Sequence, residues 1–362
     1  MPESRAPHPV IKIKNVPLSS PFVIAPMAGM TDTAFRRLVK RQGGCGLVVT
    51  EMVSSEGLVR GIDRTLEYTE FTEEERPVSI QIFGGDPEKM ADAAQIVEDL
   101  GADIVDVNMG CPVRKISKHN AGCSLMREPE HAASVIAAMT KKVRIPVTVK
   151  MRAGWSDTSI TAPELAKRVQ DAGAAAVAVH GRTAEQSYSG QSDWSLIDRV
   201  AESLSIPVFG SGDCVEPGHV LERLRGGSVS GVLVGRGVLR NPWILAQSAD
   251  LAAGRPARLV TDEDRGRFLI EYMELLLQDG ENDEDGFRHR AGQIESRIPN
   301  PEARQSSHHR WVINKMRALM SWYSKGLHNG GHLRIAINGA TSISQARDII
   351  EQFFGIASPS LA

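Results

Sequence analysis

Eight short runs of β-branched and apolar residues recur along the chain, each followed by a segment with helical punctuation. The runs are Phe22-Val-Ile-Ala, Leu47-Val-Val-Thr, Val78-Ser-Ile-Gln-Ile, Ile104-Val-Asp-Val, Val147-Thr-Val-Lys, Ala176-Val-Ala-Val, Pro207-Val-Phe-Gly and Gly231-Val-Leu-Val. Runs this apolar suit parallel strands covered on both faces, because a strand with one wet face would alternate. Between them, Asp86-Pro87 supplies a helix cap and a first-turn proline. Met90, Ala93, Val97 and Leu100 then make a stripe that stops at Gly101. Thr161-Ala-Pro-Glu164 reads as a capping box and Gly173 as a helix stop. Eight such units closing on themselves make a (β/α)8 TIM barrel, an α/β fold whose structural rival is a doubly wound open sheet.

The strand pattern ends near Asn241-Pro-Trp-Ile, and the 362 residues exceed the ~250 of a barrel. Beyond Arg255-Pro256 the pattern turns helical. A barrel over residues 1–255 and an all-helical C-terminal domain over 256–362 are therefore predicted, with a polar, mobile loop at about 280–307. A net charge of −2 and 41% hydrophobic residues give no global attraction for nucleic acid, so such a partner would have to meet a local patch. One candidate lies between Ala303 and Arg347, which contains no acidic residue. Arg310, Lys315 and Arg317 stand there, interleaved with Trp311, Trp322 and Tyr323. The blander alternative is a solvated helical face over core aromatics. The four cysteines are scattered without a C-x-x-C pair, which points away from zinc and toward a reducing compartment. With no apolar leader and no apolar run of membrane length, a cytoplasmic protein without membrane or metal partners is expected.

Barrel chemistry sits where strands end. Those ends read Pro26-Met27-Ala28-Gly29, Glu51, Gln81, Asn108 with Cys111, Lys150 with Arg152, His180 with Arg182, Gly210-Ser211-Gly212-Asp213 and Gly235-Arg236-Gly237. The last two glycine loops, with Arg236, suit one phosphate, although each alone would pass for an ordinary turn. An inward Lys150 needs a negative partner. The edge of a reduced flavin, Schiff-base chemistry of the barrel-aldolase kind, or a salt bridge to Glu51 or another acid would each serve. His180 is either a satisfied core histidine or a hydrogen-bonding partner of the same ligand. The Gln81 amide can both donate and accept. Cys111 stands in DVNMGCPVRK, fixed between Gly110 and Pro112. It could be a small core hydrophobe or a nucleophile. With a pKa near 8.5, it could also be a protonated general acid.

The stretches APMAGMTDTAFRRL, TEMVSSEGLV, IQIFGGDP, DVNMGCPVRKI, AGCSLM, VKMRAGW, VHGRTAEQSYSGQSDW and VGRGVLRNPW, in that order, resemble the tRNA-dihydrouridine synthases. Among these the bacterial B-type enzymes are most similar. The resemblance implies FMN at the barrel mouth, NADPH as electron donor, hydride delivery to uridine C6 and protonation of C5 by Cys111. It implies flavin contacts from Pro26, Met27, Ala28, Gln81, Lys150 and His180, and phosphate contacts from Gly235 and Arg236. The loop Ser211-Gly212-Asp213 stands where the family usually has Asn-Gly-Asp. Asn108 and Arg182 would lie near the uracil, Arg152 would contact substrate or RNA, and Arg310, Lys315 and Arg317 would meet tRNA in a monomeric enzyme. The lysine-histidine pair of the B-type pattern is missing after Arg317. Three alternatives are a flavin barrel acting on a free pyrimidine such as dihydroorotate, an RNA-binding regulator, and an aldolase barrel. The last leaves Gly-Cys-Pro unexplained.

Overall fold

The computed structural model of the chain describes residues 11–113, 116, 120–278, 284–291 and 300–356. All eight apolar runs are strands: β1 (Phe22–Ile24), β2 (Val48–Val49), β3 (Val78–Phe83), β4 (Ile104–Met109), β5 (Val147–Arg152), β6 (Ala176–His180), β7 (Val208–Ser211) and β8 (Gly231–Val234). They pair in parallel in the order β1-β8-β7-β6-β5-β4-β3-β2. A parallel bridge of Val23 with Leu47, and Ile24 N–H donating to the Leu47 carbonyl at 3.2 Å, bring β1 back to β2. First and last strands of an open sheet would not meet, so this is the barrel.

Alternation along the strands divides the core into two faces. Ile80, Ile82, Val105, Val107, Val149 and Met151 point outward beneath the helices and are fully buried. Val23, Leu47, Val49, Ile104, Phe209 and Leu233 point inward. An N-terminal hairpin, Ile11–Ile13 against Val16–Leu18, adds Ile13, Val16 and Leu18 to that inner cluster and stops the barrel at the strand starts. The inner face of β3, β4 and β5 is polar instead, carrying Ser79, Asp106, Thr148 and Lys150 around a cavity of about 30 Å³.

The first barrel helix, α1 (Thr33–Gln42), starts where the Asp32 carboxylate caps the Phe35 N–H. Its Arg36 is buried and pairs with buried Glu75 at 2.6 Å. The same guanidinium donates to the Thr31 carbonyl at 2.6 Å and the Glu70 carbonyl at 2.7 Å. Four later helices form the C-terminal region: α2 (Asp262–Gln278), α3 (Pro301–Tyr323), α4 (Gly330–Gly339) and α5 (Ile343–Phe354). Phe35 of the barrel meets Phe268 and Tyr272 of α2 edge-on, and Phe268 stacks on Tyr323 of α3. Barrel and helices thus share one apolar core. Tyr323 belongs to that core, whereas Trp311 is exposed. Among the described residues no helix is long and apolar enough to cross a membrane.

Two sequence expectations are corrected. Thr161 makes no capping hydrogen bond, and its hydroxyl is buried without a partner, so no capping box forms there. Residues 301–307, expected as loop, are the first turns of α3, with Asn300 capping the Glu302 N–H and Pro301 in the first turn. Within the same stretch, Arg288–His289 pairs antiparallel with Phe71–Thr72, and the His289 ring stacks on Phe71. Residues 280–283 and 292–299 lie outside the described residues.

Arg36→Met should destabilise the protein by about 3–5 kcal/mol, because it leaves the buried Glu75 carboxylate without its cation. Urea denaturation checks this, and a loss below about 1 kcal/mol would show the pair to be dispensable.

Candidate active site at the barrel mouth

The β4 strand delivers Cys111 to the mouth on a turn held from two sides. From below, Asn108 Oδ1 accepts the Gly110 N–H at 3.1 Å and the Cys111 N–H at 2.9 Å. From above, Arg152 Nε donates to the Gly110 carbonyl at 2.8 Å, while its Nη1 donates to the carbonyls of Thr183 (3.0 Å) and Ser187 (2.9 Å). Arg152, expected to contact substrate or RNA, is buried and engaged by three backbone carbonyls. The Cys111 side chain is half-buried. Burial pushes its thiol above the ordinary value of 9.0, against the opposing pull of the Val113 N–H, Arg152 and Lys150.

Gln81 is expected to touch a flavin ring, yet its amide is engaged within the barrel. Its Nε2 donates to Asp106 at 2.6 Å and its Oε1 accepts from Asn108 Nδ2 at 2.8 Å. One N–H and one lone pair remain. Lys150 differs. Glu51, the acid it could have paired with, is taken by Lys315, and no ion pair or hydrogen bond of the Lys150 ammonium exists among the described residues. Burial first, then the neighbouring Arg152, bring its pKa down to about 8, with Asp106 and Cys111 opposing. Beside it at the end of β6, the His180 Nε2 is buried without a partner. Burial and then the cations Lys150, Arg152, Arg182 and Arg236 lower its pKa to about 2, so the imidazole is neutral at any physiological pH.

The loops after β6 and β7 are tied to each other. Buried Arg182 donates to the Ser189 and Gly190 carbonyls at 3.0 and 2.7 Å and to Asp213 Oδ1 at 2.6 Å, leaving Nη1 without a partner. Asp213, in the left-handed region at φ 56°, also accepts the Ser192 N–H at 2.7 Å. Two glycines of the supposed phosphate loop have packing reasons. A Cβ at Gly210 would lie 2.2 Å from the Trp194 ring, and one at Gly212 would lie 2.2 Å from the Ser192 hydroxyl. Gly235 is different, since a Cβ there would meet nothing closer than 3.6 Å. Arg236 next to it lies 3.9 Å from Asp213 and over the exposed Tyr188 ring. Ser211 ends β7 and is buried. Pro26 lines the inner cavity with Lys150, and the Met27 carbonyl accepts from the Met30 and Thr31 N–H groups, closing the turn through Ala28 and Gly29.

The three basic residues of α3 have different surroundings. Arg310 is exposed. Arg317 donates to Asn314 at 3.1 Å and to the Ala340 carbonyl at 2.9 Å, and its Nε is buried without a partner. With His309 and Ser342 these two line a groove of about 590 Å³ between α3 and the start of α5. Lys315, expected to meet RNA, faces the barrel instead. Its ammonium lies 3.1 Å from Asp32 and 3.8 Å from Glu51, and donates to the Gly29 carbonyl at 3.3 Å. Glu51 in turn accepts the Gly29 N–H at 2.5 Å, and Tyr272 donates to Asp32 at 2.8 Å. Burial opposes the charge on Lys315, but Asp32 and Glu51 outweigh it and raise its pKa. No sequence pattern announces this contact. Asp106 and Thr148 were missed as well, although a polar residue at every second place of Asp106-Val-Asn108 marks an inward face.

A family model described as dihydrouridine synthase matches residues 23–353. A probable tRNA-dihydrouridine synthase of Rickettsia bellii is 37% identical over 347 residues, covering 95% of this chain and 98% of that one. A probable tRNA-dihydrouridine synthase of Rhizobium leguminosarum is 42% identical over 259 residues, 70% of this chain and 78% of that one. The tRNA-dihydrouridine synthase B of Xanthomonas campestris is 39% identical over 231 residues, 64% of this chain and 69% of that one.

Lys315→Met should cost about 3 kcal/mol, since Asp32 and Glu51 would face each other without their cation. Guanidinium denaturation checks this. A fully stable variant would return Lys315 to the surface role expected from sequence.

Proposed function

This chain belongs to the dihydrouridine synthase family, and from that premise we propose that it reduces uridines of tRNA to 5,6-dihydrouridine at the barrel mouth, using FMN and NADPH. The observation that carries this is a set of unengaged polar groups. The His180 Nε2 and one N–H of Arg182 are buried without partners, and the Lys150 ammonium beside them makes no ion pair or hydrogen bond among the described residues. Beneath, Asp106, Gln81 and Thr148 satisfy one another. Buried polar groups left open are costly, about 1–3 kcal/mol each, and a flat ligand with an anionic, hydrogen-bonding edge fits them. When bound, FMN reduced by NADPH supplies the hydride that uracil C6 requires.

Cys111 supplies the proton. Its Sγ–H bond breaks as a C–H bond forms at uracil C5, and the thiolate left behind regains its proton from solvent. A raised pKa keeps the thiol loaded at neutral pH, and the nearby Arg152 and Lys150 favour the thiolate that forms. His180 cannot compete as the acid, because it carries no second proton above about pH 2. The stiff hold on the Cys111 turn fits this task, since a proton donor must keep its distance from one carbon. Exposed Arg310, the adjoining groove and the absence of acidic residues between Ala303 and Arg347 suit tRNA phosphates. A free pyrimidine would have no use for such a face.

Stopped-flow spectra of the flavin-loaded enzyme test this. Cys111→Ala should keep NADPH-driven flavin reduction while flavin reoxidation by tRNA slows by about 10²–10⁴-fold. In the wild type the tRNA step should stay flat through neutral pH and fall only above the ordinary thiol value of 9.0, because the protonated form acts and its pKa is raised. An unchanged tRNA step in Cys111→Ala would refute the proton-donor role. Arg310→Ala should lower the salt slope of tRNA binding by about 0.7–0.9 and leave NADPH oxidation by oxygen unchanged. An unaltered slope would remove Arg310 from the RNA surface.

A further inference from the structure

Asp106 has no part in the chemistry proposed above, yet it is a buried acid in the middle of a barrel strand, where a carboxyl is expensive to keep. The register of β3, β4 and β5 sets Gln81, Asp106 and Thr148 side by side in one row. Asp106 Oδ2 accepts from Gln81 Nε2 at 2.6 Å, and Oδ1 accepts from the Thr148 hydroxyl at 2.6 Å.

Burial raises the Asp106 pKa, against the pull of the Gln81 and Thr148 donors and Lys150. Whether ionised or protonated toward the Thr148 oxygen, its Oδ2 is left to accept. The Gln81 amide must therefore turn its NH2 group toward Asp106 and its carbonyl away. That carbonyl receives the Asn108 Nδ2 at 2.8 Å, which obliges Asn108 to turn its own carbonyl toward the turn. There it accepts the Gly110 and Cys111 N–H groups. Each amide has two orientations of nearly equal shape, and the carboxylate selects one for both. With the amides reversed, Asn108 would present N–H groups to two N–H donors and the turn would lose its lower anchor. We propose that Asp106 is a positioning residue for Cys111, acting through the imposed orientations of Gln81 and Asn108. This rests on the reading of Cys111 as the proton donor.

The test uses flavin-loaded enzyme and follows both half-reactions. Asp106→Leu keeps the bulk and removes the acceptors, and flavin reoxidation by tRNA should slow by about 10–10²-fold, the scale of a misplacement near 1 Å. NADPH-driven flavin reduction should change by less than about threefold. Asp106→Asn can still accept from Gln81 through its carbonyl while its NH2 meets the Thr148 oxygen, so it should restore most of the rate. In a Cys111→Ala background, Asp106→Leu should add less than about threefold, because a residue acting through the thiol has nothing left to position. Equal slowing of both half-reactions, a full additional slowing without the thiol, or no rescue by asparagine would each overturn the proposal. Should Asp106→Leu not accumulate as folded protein, Thr148→Val removes one donor from the same carboxylate without added bulk, and the same two comparisons decide. A fast Cys111→Ala enzyme would sink the proton-donor reading itself. A slow Cys111→Ala enzyme with a fast Asp106→Leu enzyme would sink only this inference.

Discussion

A strand sends successive side chains to opposite faces, and in a closed barrel one of those faces is shared by all eight strands. That constraint makes the polar row across β3, β4 and β5 possible. Outward residues of these strands are fully buried beneath helices, so the polar residues are confined to the inside. Inside the barrel four of them satisfy one another. Thr148, Asp106, Gln81 and Asn108 do so, over distances of 2.6 to 2.8 Å. One layer higher, register sets Lys150 beside Asn108, and there the satisfaction stops. The step from that closed row to Lys150 marks the floor of the site, although the Ser79 hydroxyl below it is also buried without a partner.

Much of this was legible in the sequence, for a simple reason. Burial on both faces forces apolar runs, so all eight strands stood out, and the polar residues that break the rule collected at strand ends. Cys111, Lys150 and His180 were found that way and do share one mouth. Interactions with distant backbone left no such trace. Arg152 and Arg182 read as strand-end arginines open to a ligand, but carbonyls of the loop after β6 engage both, and of Arg182 one buried N–H group remains without a partner. Arg310 and Lys315 are both basic and lie on one helix. Which of them faces the barrel depends on how α3 docks, and no local pattern encodes that. The N-terminal hairpin was missed although Ile11-Lys-Ile-Lys alternates cleanly, because a run of three residues carries little periodic signal.

The helical region is therefore more than an appendage. Through Phe268, Tyr272 and Tyr323 it continues the barrel's core, and through Lys315 it reaches the rim of the mouth. A surface basic residue gains little from a partner across water, but Lys315 is shielded and meets two acids, which makes its contact specific to one docked arrangement.

The clamp on Gly29 carries a consequence for how the molecule is made. This residue sits at φ 80°, its N–H held by Glu51 and its carbonyl by Lys315. The first partner lies 22 residues away along the chain and the second 286. A ribosome adding ~5–20 residues per second would release the first rim turn roughly 15–60 s before the lysine that finishes it. The seven strands after β1 all emerge in that interval, so every barrel strand is made while the rim still lacks one fastening. The enzyme's mouth is fastened only after every barrel strand has been made, by the second of the four C-terminal helices, and a nascent chain stalled short of α3 would hold a barrel whose entrance is not yet set.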